Sequence, residues 1–172
     1  MVRKIDTVAT KPLVCSCGKI CVPPSGPRNA PILICGEYLG SEESAAGRPF
    51  VGRSGRILRA ELDKIGLNLD EIRVTNLVNH EFPEEGCYQF GLEQVIREAK
   101  GRKAILLLGS ECSRIFLGKG VLTISGLVVH SKYLSAPIVR ATINPAALLS
   151  GTVGEFRLAL EKFSRALKKG KI

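Results

Sequence analysis

Apolar residues come along this chain in two patterns: short unbroken runs, and longer stretches in which they recur every three or four positions. The runs "PILICG" (31–36), "RVTNLV" (73–78), "AILLLG" (104–109), "GLVVHS" (126–131) and "PIVRATI" (137–143) predict strands. Unbroken apolar runs of this length suit strands buried on both faces. Between them, "SGRILRAELDKI" (54–65) carries Ile57, Leu58, Leu62 and Ile65 at the spacing of a helix with one buried face, with Ser54 at the expected N-cap. "YQFGLEQVIREAK" (88–100) predicts a second helix and "ECSRIFLG" (111–118) a short third. "VGEFRLALEKFSRALKK" (153–169) predicts a last helix, packed through Val153, Phe156, Leu160, Phe163 and Leu167.

Strands alternating with helices imply an α/β domain, a parallel sheet covered on both faces. Such sheets bind ligands in the loops beyond the carboxyl ends of their strands. Three conspicuous loops fall there: "GEYLGSEESAAGRPFVG" (36–52), "NHEFPEEGC" (79–87) and "NPAALLSG" (144–151). The connection over 36–53 is long for an α/β turn, and loops of that length are usually functional. Within it, Phe50 sits among glycines and arginines rather than in an apolar run. It is either a presented ring or a plug that fixes the loop to the sheet.

Composition narrows the picture. The chain has 172 residues, 45% hydrophobic and 24% charged, a globular profile expected to form one domain over 1–172. No apolar run is long enough to span a membrane, and the start "MVRKIDTVATKPLVCSC" lacks the continuous apolar core of a secretory signal. A cytoplasmic protein is the expectation. The net charge of +9 favours polyanionic partners, nucleic acid first. The basic tail "RALKKGKI" is equally explained as a solvated helix end.

Cysteine placement adds a metal candidate. Cys15, Cys17 and Cys21 cluster in "CSCGKIC", at the head of a knuckle over 13–30 that continues into the stiff linker "VPPSGPRNAP". In a chain without a secretory signal, clustered cysteines point to metal or an iron–sulfur cluster rather than disulfides. Cys35 in a strand and Cys112 on a helix read as small hydrophobes. His130, in a predicted strand, reads as structural.

The loop after the first strand resembles the first motif of the uracil-DNA glycosylase superfamily, in its iron–sulfur-containing, family-4-like branch, which includes phage-polymerase-related proteins. Gly36, Glu37, Gly40, Glu43, Gly47, Pro49, Phe50, Val51, Gly52, Ser54 and Gly55 match in register. "VTNLVNHEFP" resembles that family's second-strand motif and "ATINPAALLS" its last motif, so the likeness runs from residue 31 to about 150. It implies a three-layer α/β/α fold with a central, mostly parallel sheet of four to five strands. It also implies an enzyme of base excision repair that flips uracil out of single- or double-stranded DNA and hydrolyses its N-glycosidic bond without cutting the strand.

The resemblance assigns roles. Phe50 stacks on the base and Asn76 reads it through an amide that complements uracil, although a strand-end Asn bonded to backbone is the plainer alternative. Tyr38 belongs to the uracil pocket. Glu37 serves the sugar side, and Asn144 takes the position of a histidine that donates to the base. Leu148 corresponds to an apolar wedge or, equally, packs the following helix. Ser54 with Arg48, Arg53, Arg56 and Arg59 flanks the pocket as the phosphate-binding candidate. Cys15, Cys17, Cys21 and Cys87 supply four thiolates for a [4Fe–4S] cluster or tetrahedral zinc. The other set is two of the three N-terminal cysteines with His80, which stands at the branch's third cysteine position, and Cys87.

Three departures lie nearest the chemistry. Tyr38 replaces a small residue, Leu39 a proline and Asn144 a histidine. They favour an alternative in which the chain is a weak or inactive DNA-binding or polymerase-associated module. A redox or zinc protein unrelated to DNA would rest on "CSCGKIC" alone. A monomer with a polymerase or replication partner and no membrane contact completes the expectation.

Overall fold

The computed structural model describes residues 11–151 and 153–172. The basic start, which carries the expectation about secretion, falls largely on residues 1–10, outside the described residues. No helix among the described residues is long and apolar enough to cross a membrane.

Four strands form the centre: β1 (Ile32–Tyr38), β2 (Arg73–Val78), β3 (Ala104–Leu108) and β4 (Ile138–Thr142), ordered β2-β1-β3-β4 and all parallel. In register, Gly36 lies beside Asn76, and Leu107 beside both Cys35 and Ala141. Parallel strands need crossovers, and helices supply them on both sides, giving a three-layer α/β/α molecule. These helices are α1 (Ser41–Ala46), α2 (Arg53–Lys64), α3 (Glu85–Ala99), α4 (Ser110–Leu117), α5 (Val121–Ile124) and α6 (Val153–Lys169). Leu33, Ile34, Leu106, Leu107 and Leu108 from the sheet meet Phe116, Phe156 and Phe163 from the helices, all fully buried.

The sequence pattern and the fold part in three places. "GLVVHS" is not a strand: the chain runs past β4 with isolated hydrogen bonds, Gly126 N–H to Ala141 O at 2.9 Å and Val129 N–H to Val139 O at 3.3 Å. Leu127 and Val128 face outward there, and His130 is exposed rather than structural. Among the described residues the sheet therefore stops at four strands. Second, the long loop is interrupted by the short helix α1. Third, α2 begins at Arg53 with Gly52, not Ser54, as its N-cap. The first turn of α2 contains no acidic residue, so the end is capped from outside. Gly52 N–H donates to Glu43 Oε1 at 2.8 Å and Arg53 N–H to Glu42 Oε1 at 3.3 Å. Two carboxylates of α1 thus meet the positive end of α2.

The N-terminal segment is fastened to the sheet. Val14 and Ile20 bridge antiparallel around a turn closed by Cys15 N–H to Lys19 O at 2.8 Å and Gly18 N–H to Cys15 O at 2.9 Å. Downstream, Ser25 pairs with Val74 through two backbone hydrogen bonds, so the proline-rich segment lies along the outer edge of β2.

Candidate active site

The carboxyl ends of β1, β2 and β4 converge on a cavity of about 190 Å³. Glu37, Tyr38, Phe50, Ser54, Asn76 and Asn144 line it, all proposed from sequence and all brought together here.

Asn76 is the innermost of them. Its residue is 3% exposed, and its backbone is clamped on both sides by Asn79, which accepts from Asn76 N–H at 3.1 Å and donates to Asn76 O at 2.7 Å. Its side-chain amide makes no hydrogen bond among the described residues. A Cβ on neighbouring Gly36 would stand 2.4 Å from Asn76 Oδ1 and 2.8 Å from Phe50 Cζ. The missing side chain at Gly36 is what lets the amide and the ring meet. Phe50 itself is held at φ 57°, a left-handed conformation that costs a non-glycine residue on the order of 1 kcal/mol or more. Strain of that kind persists only where the surrounding loop imposes it, and the Glu43 carboxylate bound at Gly52 is the tether.

Glu37 and Asn144 form a second unit. Glu37 Oε1 accepts from Glu111 N–H at 2.5 Å, in the first turn of α4, while Oε2 accepts from Asn144 Nδ2 at 3.4 Å. A Cβ on Gly109, at φ 100°, would lie 2.2 Å from the Glu37 carboxyl carbon. Asn144 Oδ1 accepts from Ala146 N–H at 3.0 Å, capping the 3₁₀ turn Pro145–Ser150. The amide orientation is thereby fixed, with the Nδ2 donor on the side of Glu37 and the cavity.

Tyr38 stands at the rim. Its hydroxyl is 3.2 Å from that of Tyr88, with the two rings edge to face. Burial, then the Tyr88 hydroxyl and the carboxylates of Glu111 and Glu37, push the Tyr38 phenol up. The flanking cations divide. Arg48 and Arg53 are exposed with no ion pair among the described residues. Arg56 pairs with Glu42 at 3.2 Å, and Arg59 makes a bidentate pair with Asp70 at 2.9 and 3.0 Å. Leu148 is partly buried against the core, whereas its neighbour Leu149 is 49% exposed. Exposure distinguishes the two leucines; sequence alone does not. Cys35 and Cys112 are buried with Sγ atoms 3.9 Å apart.

The metal candidates assemble behind α3. Ligand atoms of Cys15, Cys17, His80 and Cys87 all lie within 4.8 Å of one another. Three thiols and an imidazole in a closed, mostly buried group suit a structural metal or cluster. His80 Nε2 is 3.6 Å from Cys17 Sγ, and its Nδ1 is 3.0 Å from Glu81 O. A carbonyl partner at Nδ1 holds the proton there and leaves the Nε2 lone pair for a ligand role. Cys21 stands outside this group but lines the same small cavity. Burial pushes the Cys15 thiol up, but hydrogen bonds from the Cys17 backbone and from His80, Ser16 and Cys87 outweigh it and bring it down to about 6. Cys21 moves the other way, to about 11, through burial and the charge of Cys15 and Cys17. Lys19 Nζ closes the arrangement by donating to Phe82 O at 2.7 Å and Glu81 O at 3.3 Å.

A family model described as the uracil DNA glycosylase superfamily matches residues 23–168. The chain belongs to the uracil-DNA glycosylase superfamily. Among similar proteins named type-4 uracil-DNA glycosylase, that of Thermotoga maritima is 30% identical over 146 residues, 78% of this chain and 75% of the relative. That of Sulfurisphaera tokodaii is 31% identical over 145 residues, covering 74% and 65%. That of Pyrobaculum aerophilum is 33% identical over 86 residues, covering 45% and 44%. In the last two the match spans less than two thirds of the relative's own length. Within this superfamily member, sequence reasoning missed Asn79, Glu111 and Tyr88. Asn79 was legible as an Asx residue three positions past Asn76, whereas the other two act through long-range contacts that no local pattern marks.

Proposed function

We propose that this chain is a uracil-DNA glycosylase that hydrolyses the N-glycosidic bond of deoxyuridine in base excision repair. The observation that carries the reading is the Asn76 amide, set on a residue only 3% exposed, opening on the cavity and without a hydrogen-bond partner among the described residues. Uracil N3–H donates to Asn76 Oδ1, and uracil O4 accepts from Nδ2; cytosine presents the reverse pattern. Phe50 stacks on the flipped ring. As the C1′–N1 bond breaks, its electron pair passes to the base, and the charge that reaches O2 meets the Asn144 Nδ2 donor. The Glu37 carboxylate holds that donor and faces the positive charge developing on the sugar. Water adds to C1′ and releases its proton to solvent, leaving an abasic site. Arg48 and Arg53 bind the flanking phosphates, Ser54 and Arg56 lie at the same rim, and Leu148 with Leu149 fills the space the base vacates.

The knuckle holds an iron–sulfur cluster, [4Fe–4S], through Cys15, Cys17 and Cys87 with His80 as fourth ligand; Cys21 is the alternative fourth donor. What supports these four residues as the ligand set is the shared spacing of their donor atoms and the Nδ1 contact of His80, while the choice of a cluster over a single ion rests on the resemblance to the iron–sulfur branch. The cluster ties the N-terminal turn to the loop before α3. The protein acts as a monomer in a reducing, cytoplasmic setting, with a replication polymerase as a candidate partner.

A uracil-containing oligonucleotide, treated with alkali after incubation, tests the reaction beside Asn76→Ala. Uracil-dependent cleavage that disappears in the variant is the expected result. Tyr38 favours a second reading, because a tyrosine at the rim pinned by Tyr88 narrows the entrance. Salt-sensitive DNA binding without base release would establish that non-catalytic module instead.

A further inference from the structure

A second depression, of about 530 Å³, opens at the amino-terminal ends of the strands and is lined chiefly by Arg28, Arg73, Arg97, Glu98, Lys100 and Arg102. Three separate segments bring these residues together. Arg28 comes from the segment entering β1, Arg73 is the first residue of β2, and the others lie at the end of α3 and just before β3. Across strands of five to seven residues, this pole lies roughly 17–23 Å from the uracil pocket.

Two of the cations are built in. Arg73 and Arg102 are each 9% exposed and share the single carboxylate of Glu98. Arg73 donates to it at 2.8 and 3.1 Å, and Arg102 at 3.4 Å. Arg73 also donates to Gly26 O at 2.9 Å, and Arg102 to Arg28 O and Glu98 O, both at 2.8 Å. One carboxylate between two buried guanidinium groups leaves an excess of positive charge. The side chains of Arg28, Arg97 and Lys100 add to it, and none makes an ion pair or hydrogen bond among the described residues. Cations at a helix carboxyl end are ordinary, which accounts for Arg97 and Lys100. Arg28 comes from elsewhere in the chain and needs another reason.

We propose that this cavity is a second phosphate-binding site, which takes the phosphodiester backbone of a nucleic-acid segment other than the one in the uracil pocket. Four of its five cations are arginines, whose planar fork matches phosphate oxygens. Its only apolar residues are Pro23 and Pro24, with no aromatic or branched side chain to anchor a peptide. The two poles face apart, so a straight duplex seated at the pocket does not reach this one. Occupying both at once lets the protein stay on DNA while it moves from one segment to another. The choice of DNA as ligand rests on the reading of the pocket; the site itself does not.

The full chain is compared with a variant carrying Arg28→Gln, Arg97→Gln and Lys100→Gln, all exposed positions outside the pocket. Binding to a long undamaged duplex is followed by anisotropy from 50 to 200 mM salt, conditions over which roughly 0.9 of a unit of log–log slope is lost per phosphate contact removed. The expected result is a slope shallower by about 2–3 and affinity weaker by at least about ten-fold at the lower salt. Excision from a short uracil-containing single strand is expected to be equal in both proteins. Loss of excision in both, with the slope change intact, would refute the glycosylase reading and leave this site standing. An unchanged slope would overturn the proposal. So would displacement of the protein's own signal by poly-glutamate, or by millimolar inorganic phosphate, with long DNA binding unaffected by the substitutions.

Discussion

At the scale of single residues, the pocket depends on what is absent as much as on what is present. Gly36 has no side chain to touch a substrate, yet a methyl group there would collide with both the Asn76 amide and the Phe50 ring. Gly36→Ala is expected to lower kcat/KM for uracil excision by about 100-fold, the effect of displacing aligned groups by about an ångström. Overpacking costs the fold only about 1–3 kcal/mol, so a folded but slow enzyme is the outcome that thermal melting and steady-state kinetics should record together. Asn144 makes the opposite case, a donor held in place by its neighbours. Asn144→Asp removes the Nδ2 hydrogens and sets a second carboxylate against Glu37. A loss of about 100- to 1,000-fold in kcat, with KM little changed, is expected in single-turnover assays. These two residues also mark the limits of legibility. Asn144 was readable from its place in a motif, whereas the reason for Gly36 required a side chain forty residues away.

Between elements, the most consequential contact joins α2 to α6. Glu61, buried on α2, accepts from Arg157 Nε at 2.7 Å and Nη2 at 2.9 Å, and from Lys64 Nζ at 2.6 Å. The Arg157 hydrogen bonds outweigh the cost of burial and hold the Glu61 carboxyl down to about 2 from 4.5. A carboxyl whose folded value is depressed contributes stability above its unfolded value and loses it as the pH falls. About 2–3 kcal/mol is therefore expected to disappear between roughly pH 4.5 and pH 2. Chemical denaturation measured across that window should show a shallower decline in Glu61→Gln than in the parent. The helical pattern announced α2 and α6 because their apolar spacing is regular, and it sets Glu61 on the same face as Ile57, Leu58, Leu62 and Ile65, but it does not show that Arg157 meets the carboxylate there. Conversely "GLVVHS" reads as a strand by composition and fails because the edge of β4 takes only isolated hydrogen bonds from it. The short helix α1 escaped notice since its buried residue is an acid, Glu43, which works as a cap for α2.

For the whole molecule, the knuckle matters as a tie between the N-terminal turn around Cys15 and the loop that carries β2 into α3. Asn79 adjoins His80 and clamps Asn76, so loosening the group of Cys15, Cys17, His80 and Cys87 reaches the pocket through one peptide unit. His80→Ala is expected to lose most of its bound iron, with bleaching of the visible cluster band and a lower melting temperature, while Cys21→Ser keeps its metal. Iron retained by the first and lost by the second would reverse the ligand assignment, and a colourless protein with one zinc per chain would replace the cluster. The cysteine set was legible only as alternatives, because three thiols in seven residues leave the fourth ligand to long-range folding.

The strand order β2-β1-β3-β4 has a consequence for how the molecule is made. β1 is synthesised before the other three strands of the sheet, yet it lies in the interior, flanked by β2 and β3. Its apolar run "ILIC" cannot be covered on both edges until Leu108 is available, about 70 residues after Tyr38. At translation rates of about 5–20 residues per second, that interval is roughly 4–14 s, during which a bare apolar edge is available to other chains. The nascent protein therefore passes through a stage in which an apolar strand destined for the core still offers a bare edge to other chains.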